Sequence, residues 1–330
     1  MKRPSTLLAV AVVLVVALWC SLVLGPGDVQ HGDVAAVLLG REVPPLARAL
    51  VWDLRLPRSL LAVTIGAALG LAGAITQGLF RNPLAEPGVL GVSSGAAMAG
   101  AIGLAAGLDA SGPWVIAGLA CLGAIAVLLV LMLWARADAR LSTLILCGVA
   151  LASVCGAITT LVLSVGIERW EIGMKVVRWL MGSFDGRSWV HLSVGATALG
   201  LGGALAAWLR QDLDALQLGP ATASSLGVDL RRTWRVGITT VGLLAGICTA
   251  LTGVIGFVGL VVPHIARGLV GTGHSRLLPA AALIGAALML LVDLLTRSVG
   301  AVALPPGVIT ILLGTPVFLV VLSRMRAEVA

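Results

Sequence analysis

Apolar residues run through this chain in long stretches, and the polar residues gather between them. A helix rises 1.5 Å per residue, so about 20 apolar residues cross the roughly 30 Å hydrocarbon core of a bilayer. Ten stretches approach or meet that length: Leu7–Leu24, Leu60–Phe80, Val89–Leu108, Pro113–Ala135, Leu141–Val165, Val190–Leu209, Val236–Leu251, Val254–Val270, Leu277–Leu295 and Val308–Leu322. The pattern predicts an all-α chain of about ten spans forming a single transmembrane domain over residues 1–330. The seventh and eighth stretches are short and nearly continuous. Gly253, Gly256, Gly259 and Pro263 predict a bend or break there. The first stretch follows Lys2 and Arg3 as a signal peptide would, but it is too long for an h-region and no A-x-A site follows. It reads as an uncleaved span.

Two interruptions carry a pattern of their own. Near residues 168–184, Ile172, Val176, Trp179 and Leu180 recur at helical spacing with Lys175 and Arg178 opposite. An amphipathic helix at the outer interface is expected, with Trp170, Trp179 and Trp189 at headgroup level. Near residues 210–232, Asp214–Leu218 and Ala221–Leu226 read as two short helices separated by Gly219-Pro220. The loop exceeds what a connector needs, so it reads as a docking element, with a solvated connector as the plainer alternative.

Composition sharpens this picture. Charged residues make up 11% and apolar residues 59% of the chain, against about 25% charged in soluble domains. Alternating the loops puts thirteen of the 22 basic residues and six of the 15 acidic ones on the side of the termini, leaving nine and nine opposite. The excess predicts that both termini are cytoplasmic. The same distribution explains the net charge of +7 without nucleic acid. The five cysteines lie within apolar runs and the four histidines are scattered, so neither predicts a metal site.

Other chemistries are poorly served. The only lysines are Lys2 and Lys175, and neither follows a glycine, so the chain has no P-loop. Gly91-Val92-Ser93-Ser94-Gly95 matches G-x-S-x-G but opens an apolar helix rather than a strand–turn–helix elbow, and reads as polar residues near a helix start. A carrier driven by ions usually buries ionisable groups. Here the exception is Asp293, four residues before Arg297, which reads as an i,i+4 ion pair or a proton relay.

Three motifs carry a resemblance. RLPRSLLAVTIGAALGLAGAITQGLFRNPLAEPGVLGVSSGA (55–96), GVIGFVGLVVPHIARGLVG (253–271) and LVDLLTRSVGAVALPPGVITILLGTPVFLVVL (291–322) resemble, in order, the signatures of the FecCD-type permeases. These are membrane subunits of importers for ferric siderophores, haem and cobalamin. The resemblance implies the type II ABC importer permease architecture in a bacterial inner membrane: a homodimer around one path, two ATPase subunits beneath, and a periplasmic binding protein above. It implies no catalytic site and no cofactor on this chain, with ATP and Mg on the ATPases.

The resemblance also assigns residues. Arg55, Arg58 and Arg297 match outer arginines that pair with glutamates of the binding protein; a headgroup anchor is the alternative for Arg58. Ser142 and Thr143 match a cytoplasmic gate, where Ser142 also suits an N-cap. Leu218, Gly219, Ser225, Leu226 and Gly227 match the coupling element, although Pro220-Ala221-Thr222 stands where the family often has acidic residues. RNPLA (81–85) and PHIAR (263–267) read as structural, with Arg81 and Asn82 tying a turn and Pro263 bending a helix. The expected cargo is haem, with cobalamin and ferric siderophores as alternatives. An ion-coupled secondary transporter is the alternative of another class.

Overall fold

The computed structural model describes residues 4–329 apart from 26, 28, 113, 138–140, 168–169 and 299–303; residues 4–5, 135–137, 141–142, 167, 298 and 320–329 are described as helix only. Among the described residues every regular element is helical. Ten helices correspond to the ten apolar stretches: α1 (Pro4–Val23), α2 (Leu56–Phe80), α3 (Val92–Ala105), α4 (Val115–Ala137), α5 (Leu141–Ile167), α6 (Trp189–Gln217), α7 (Leu230–Thr252), α8 (Val258–Val270), α9 (His274–Ser298) and α10 (Pro306–Val329). Seven are long and apolar enough to cross a membrane, and α3, α8 and the described apolar part of α10 are shorter. "Outer" and "inner" below follow the charge bias of the sequence.

The bundle is built around α2. Of its residues, all but Arg58, Leu60 and Val63 are buried, and α6, α7, α8 and α9 pack around it. Lipid gives helices no hydrophobic reason to associate, so close backbone approach has to supply the attraction. Glycine makes that approach possible. A Cβ on Gly66 would stand 2.1 Å from the Gly285 carbonyl oxygen of α9, and one on Gly285 would stand 2.2 Å from that of Gly66. One on Gly73 would meet the Gly259 oxygen of α8 at 2.0 Å. Gly95 of α3 and Gly123 of α4 repeat the reciprocal contact, at 2.6 and 2.2 Å.

The short helices α3 and α8 have a common cause. After α2 ends at Phe80, Arg81 turns the chain in the left-handed region at φ 50°. Asn82 secures the turn by accepting the Leu84 N–H at 2.9 Å, as RNPLA predicts. The chain then climbs back as irregular backbone and a 3-10 turn, Pro87–Leu90, before α3 begins. From the outer end, residues 253–257 descend from α7 before α8 begins. Leu69, near the middle of α2, lines one cavity with Glu86, Pro87, Phe257 and Gly259. Both irregular segments therefore reach mid-depth. Glu86, one of the six acidic residues that alternating the loops puts on the side of the termini, is thus corrected to mid-depth, and the predicted break between the seventh and eighth stretches is realised. Irregular backbone at this depth is tolerated because it is packed in protein and lines a cavity.

Two expectations for the loops change. The amphipathic segment is a helix, Trp170–Leu180. Its apolar face is turned onto the protein: Val176 is buried, and a Cβ on Gly100 of α3 would meet the Trp179 ring at 2.4 Å. Lys175 pairs with Asp109 at 2.8 Å, which fastens this helix to the α3–α4 loop and holds the Asp109 carboxyl below its ordinary range. At the inner end, Asp214–Gln217 continue α6, so the first of the two short helices is the end of a long one; the second is Pro220–Ser225.

The glycine contacts generate a direct comparison. Gly66→Ala is expected to lower stability by about 2–3 kcal/mol, as overpacking does, because its Cβ meets a carbonyl oxygen. Gly200→Ala on α6, whose added Cβ would meet no described residue beyond its own helix within 4 Å, is expected to stay within about 0.5 kcal/mol. Unfolding in detergent, followed by tryptophan fluorescence, measures both.

Candidate functional site

The outer end carries a cluster of four arginines. Arg58, in the first turn of α2, donates from Nε to Asp293 Oδ1 of α9 at 2.9 Å and from Nη1 to Asp185. Arg297 lies one helical turn beyond Asp293. Its Nη2 stands 2.9 Å from Asp293 Oδ2 as an ion contact without hydrogen-bond alignment, and its Nη1 donates to the Ser21 carbonyl at 3.2 Å. The i,i+4 pair read from the sequence is therefore present, and Arg58 joins it from another helix. Asp293 is fully buried while Asp185 is largely exposed, so the buried carboxylate is held between two guanidinium groups.

Arg55 departs from the expectation of an outward-facing arginine. It is buried, at 5% exposure. Its Nη1 donates to the carbonyls of Leu22 (2.7 Å) and Val23 (2.8 Å), and its Nη2 to those of Gly25 (3.3 Å) and Gly27 (2.9 Å). The last carbonyls of a helix have no partner within it. Arg55 supplies one to the end of α1, which has no base in its own last turn. A π-helical stretch, Ala49–Arg55, leads into α2 at this point.

The fourth arginine, Arg187, was not singled out in the sequence. It lies in the connection between the Trp170–Leu180 helix and α6. Ser183 fixes this connection by donating its N–H to the Thr252 carbonyl at 2.8 Å, and Phe184 anchors it with full burial. Arg187 lines a cavity of about 280 Å³ with Arg55, Arg58, Arg297, Leu50 and Leu54. Its Nε has no acceptor among the described residues. Burial pulls the guanidinium below its ordinary pKa, and Asp185 opposes that shift. The only sequence signal is the local string Gly182-Ser183-Phe184-Asp185-Gly186-Arg187, an apolar residue set among turn formers.

The inner end carries the second candidate site. Leu218 and Leu226 are exposed at 65% and 63% on either side of the Pro220–Ser225 helix. Gly219 and Gly227 bracket it at φ 108° and 91°, where a side chain would strain the backbone. Polar contacts fix the element to the bundle. Thr233 donates to Asp212 at 2.8 Å, Asp214 accepts the His274 N–H at 2.8 Å, and Gln217 donates to the Thr272 carbonyl at 3.1 Å. Asp229 caps α7 by accepting the Arg232 N–H at 3.1 Å. The Ser225 hydroxyl turns back to the Thr222 carbonyl at 2.8 Å. The structure thus holds two exposed leucines on a braced inner loop.

The proposed gate is described in part. Ser142 and Thr143 are the second and third residues of α5. The Ser142 side chain lies outside the described residues. Thr143 is partly buried and the adjacent Leu144 is buried.

A polytopic bundle with two half-length helices, an arginine cluster at one end and a braced apolar loop at the other defines the class: a membrane permease of the type II importer architecture. The chain belongs to the FecCD transport family, whose sequence profile matches residues 13–324. It is 36% identical to the vitamin B12 import system permease protein BtuC of Escherichia coli O9:H4 (strain HS) over 330 residues, covering 97% of this chain and 95% of that one. The BtuC of Shigella boydii serotype 18 is equally similar, at 36% with the same coverage. A solved structure described as a metal-chelate type ABC transporter in an inward-facing conformation superposes with a TM-score of 0.87 at 32% identity, covering 98% of this chain and all of that one. The chain is a permease and not an enzyme; in such importers a separate ATPase subunit hydrolyses ATP.

The buried carboxylate of the outer cluster gives a stability test. Asp293→Ala leaves Arg58 and Arg297 facing each other without their shared partner, and is expected to cost about 3–5 kcal/mol. Asp185→Ala removes an exposed partner and should cost under about 1 kcal/mol. Thermal unfolding of the two purified variants checks the order.

Proposed function

We propose that the chain is the permease of an ATP-driven importer that carries cobalamin from periplasm to cytoplasm, with both termini cytoplasmic. The BtuC relatives, matched at 36% identity over nearly the whole chain, carry this reading. The solved metal-chelate transporter supports the wider cargo class. Haem and ferric siderophores, expected or weighed from the sequence, have no observation of comparable weight behind them. Nor does an ion-coupled carrier: the ionisable pair that suggested one is the structural knot of Asp293 with Arg58 and Arg297.

Two copies of the chain form the working unit in this proposal. Helix α5 supports it, since 11% of its apolar window is buried within one copy, against 89% for the stretch containing α2. Ser142 and Thr143, at the inner end of α5, narrow the path between the copies. Two ATPase subunits, which bind ATP and Mg, receive the Pro220–Ser225 helix with Leu218 and Leu226 in apolar contact. Gly219 and Gly227 set its angle, and Ser225 closes its last turn. The periplasmic binding protein meets the outer cluster through acidic side chains, which arginine forks suit. Arg58 and Arg187 present the charge there. Arg55 and Arg297 hold the surface from beneath.

Proteoliposomes containing the permease, its ATPase and its binding protein decide the cargo. ATP-dependent uptake of cobalamin, with haem uptake at background, is the expected result; the reverse would replace the cargo assignment. For docking, Arg187→Ala is expected to weaken binding-protein affinity by about tenfold at low salt while leaving the melting temperature unchanged. Unchanged affinity would remove Arg187 from the docking surface.

A further inference from the structure

The mid-depth cavity between the starts of α3 and α8 has a volume of about 270 Å³. Ala97, Ile255 and Phe257 contribute apolar wall, and Ser93 and Ser94 contribute hydroxyls. Glu86 is the sole ionisable side chain among the residues that line it. Glu86 is partly buried there, and a carboxylate at this depth acts as a charge only where its surroundings offset the cost.

Two features supply that offset. The Phe257 backbone N–H donates to the Glu86 carboxylate. Phe257 is also the N-cap residue of α8, in the left-handed region at φ 65° and with no side-chain cap of its own. Gly91, the N-cap of α3, offers no side chain either. Neither helix has an acid in its own first turn, so Glu86 is the carboxylate that lines the cavity beside both starts. Each helix start carries the equivalent of about half a positive charge, so two of them roughly balance one carboxylate.

We propose that Glu86 is a charge-selecting residue, the counter-charge that keeps this mid-membrane cavity near neutral and open to neutral, hydrogen-bonding or cationic groups. Without it the two helix ends stand unopposed and the cavity attracts anions. The proposal rests on the importer reading for the use of the cavity as part of the path. Within that reading it names a class of cargo surface: amide-bearing groups pass, whereas carboxylate-bearing ones are not drawn in.

The charge is measurable without transport. In the full-length chain with its five native cysteines replaced, Ser94→Cys places a thiol in the cavity lining. Its modification by a cationic and an anionic methanethiosulfonate reagent gives a rate ratio. Glu86→Gln is expected to lower the cation-to-anion ratio by about tenfold or more, as loss of a nearby unit charge in a partly desolvated site requires. Glu86→Asp keeps the charge and is expected to keep the ratio. A cysteine at Thr272, in the exposed inner loop, should show no change with any variant at position 86. If Glu86→Gln alters both rates equally, or neither, Glu86 only braces the backbone and the proposal is overturned. Because labelling needs no ATPase, cargo or binding protein, that outcome leaves the importer reading standing, and a failure of cobalamin uptake leaves the labelling result standing.

Discussion

Contact between helix backbones at α2 is the constraint from which the rest of this structure follows. In water, apolar side chains drive helices together; in lipid that drive is absent, and packing has to replace it. Gly66 against Gly285 and Gly73 against Gly259 bring α9 and α8 so close to α2 that no side chain fits between. That proximity lets Arg58 reach Asp293 at the outer end and lets Gln77 donate to the Leu260 carbonyl at 3.1 Å towards the inner end. Polar pairing at the two ends is thus a consequence of apolar closeness in the middle.

The polar groups do different work at each end. At the outer end charge is concentrated: Arg58 and Arg297 share Asp293, and Arg187 stands nearby with its Nε unpaired among the described residues. At the inner end charge is spent locally, with Asp212, Asp214 and Asp229 each holding a neighbouring segment. This leaves Leu218 and Leu226 as the apolar prominences of the loop. One end therefore offers an electrostatic surface and the other a braced apolar one, which suits two partners of different chemistry.

Much of this was legible in the sequence, because hydropathy reports directly on segments that face lipid. Length alone located the spans, and the i,i+4 spacing of Asp293 and Arg297 announced their pairing. The half-length helices were harder to read. Val89-Leu90 is as apolar as the helix that follows, and hydropathy does not separate a buried irregular stretch from a helical one; the glycines and Pro263 were the available hint. Arg55 was misleading because its partners are backbone carbonyls some thirty residues earlier, which no side-chain pattern encodes. Arg187 was missed for a related reason: its setting is made by Phe184 and by Arg58 from a distant part of the chain. The relation of Glu86 to Phe257 was equally invisible, since a loop acid is expected to face water.

The paired half-helices also bear on how the bundle deforms. Bending a continuous helix disturbs its i→i−4 ladder, which is why spans behave as rods. Between Phe80 and Val92, and again between Thr252 and Val258, no such ladder exists to disturb. One interruption enters from each face, and they meet at the level of Leu69. The seven continuous spans keep the bundle stiff, while α3 and α8 hang on short compliant segments, so tilting of these two half-helices has its lowest elastic cost where the cavity lies.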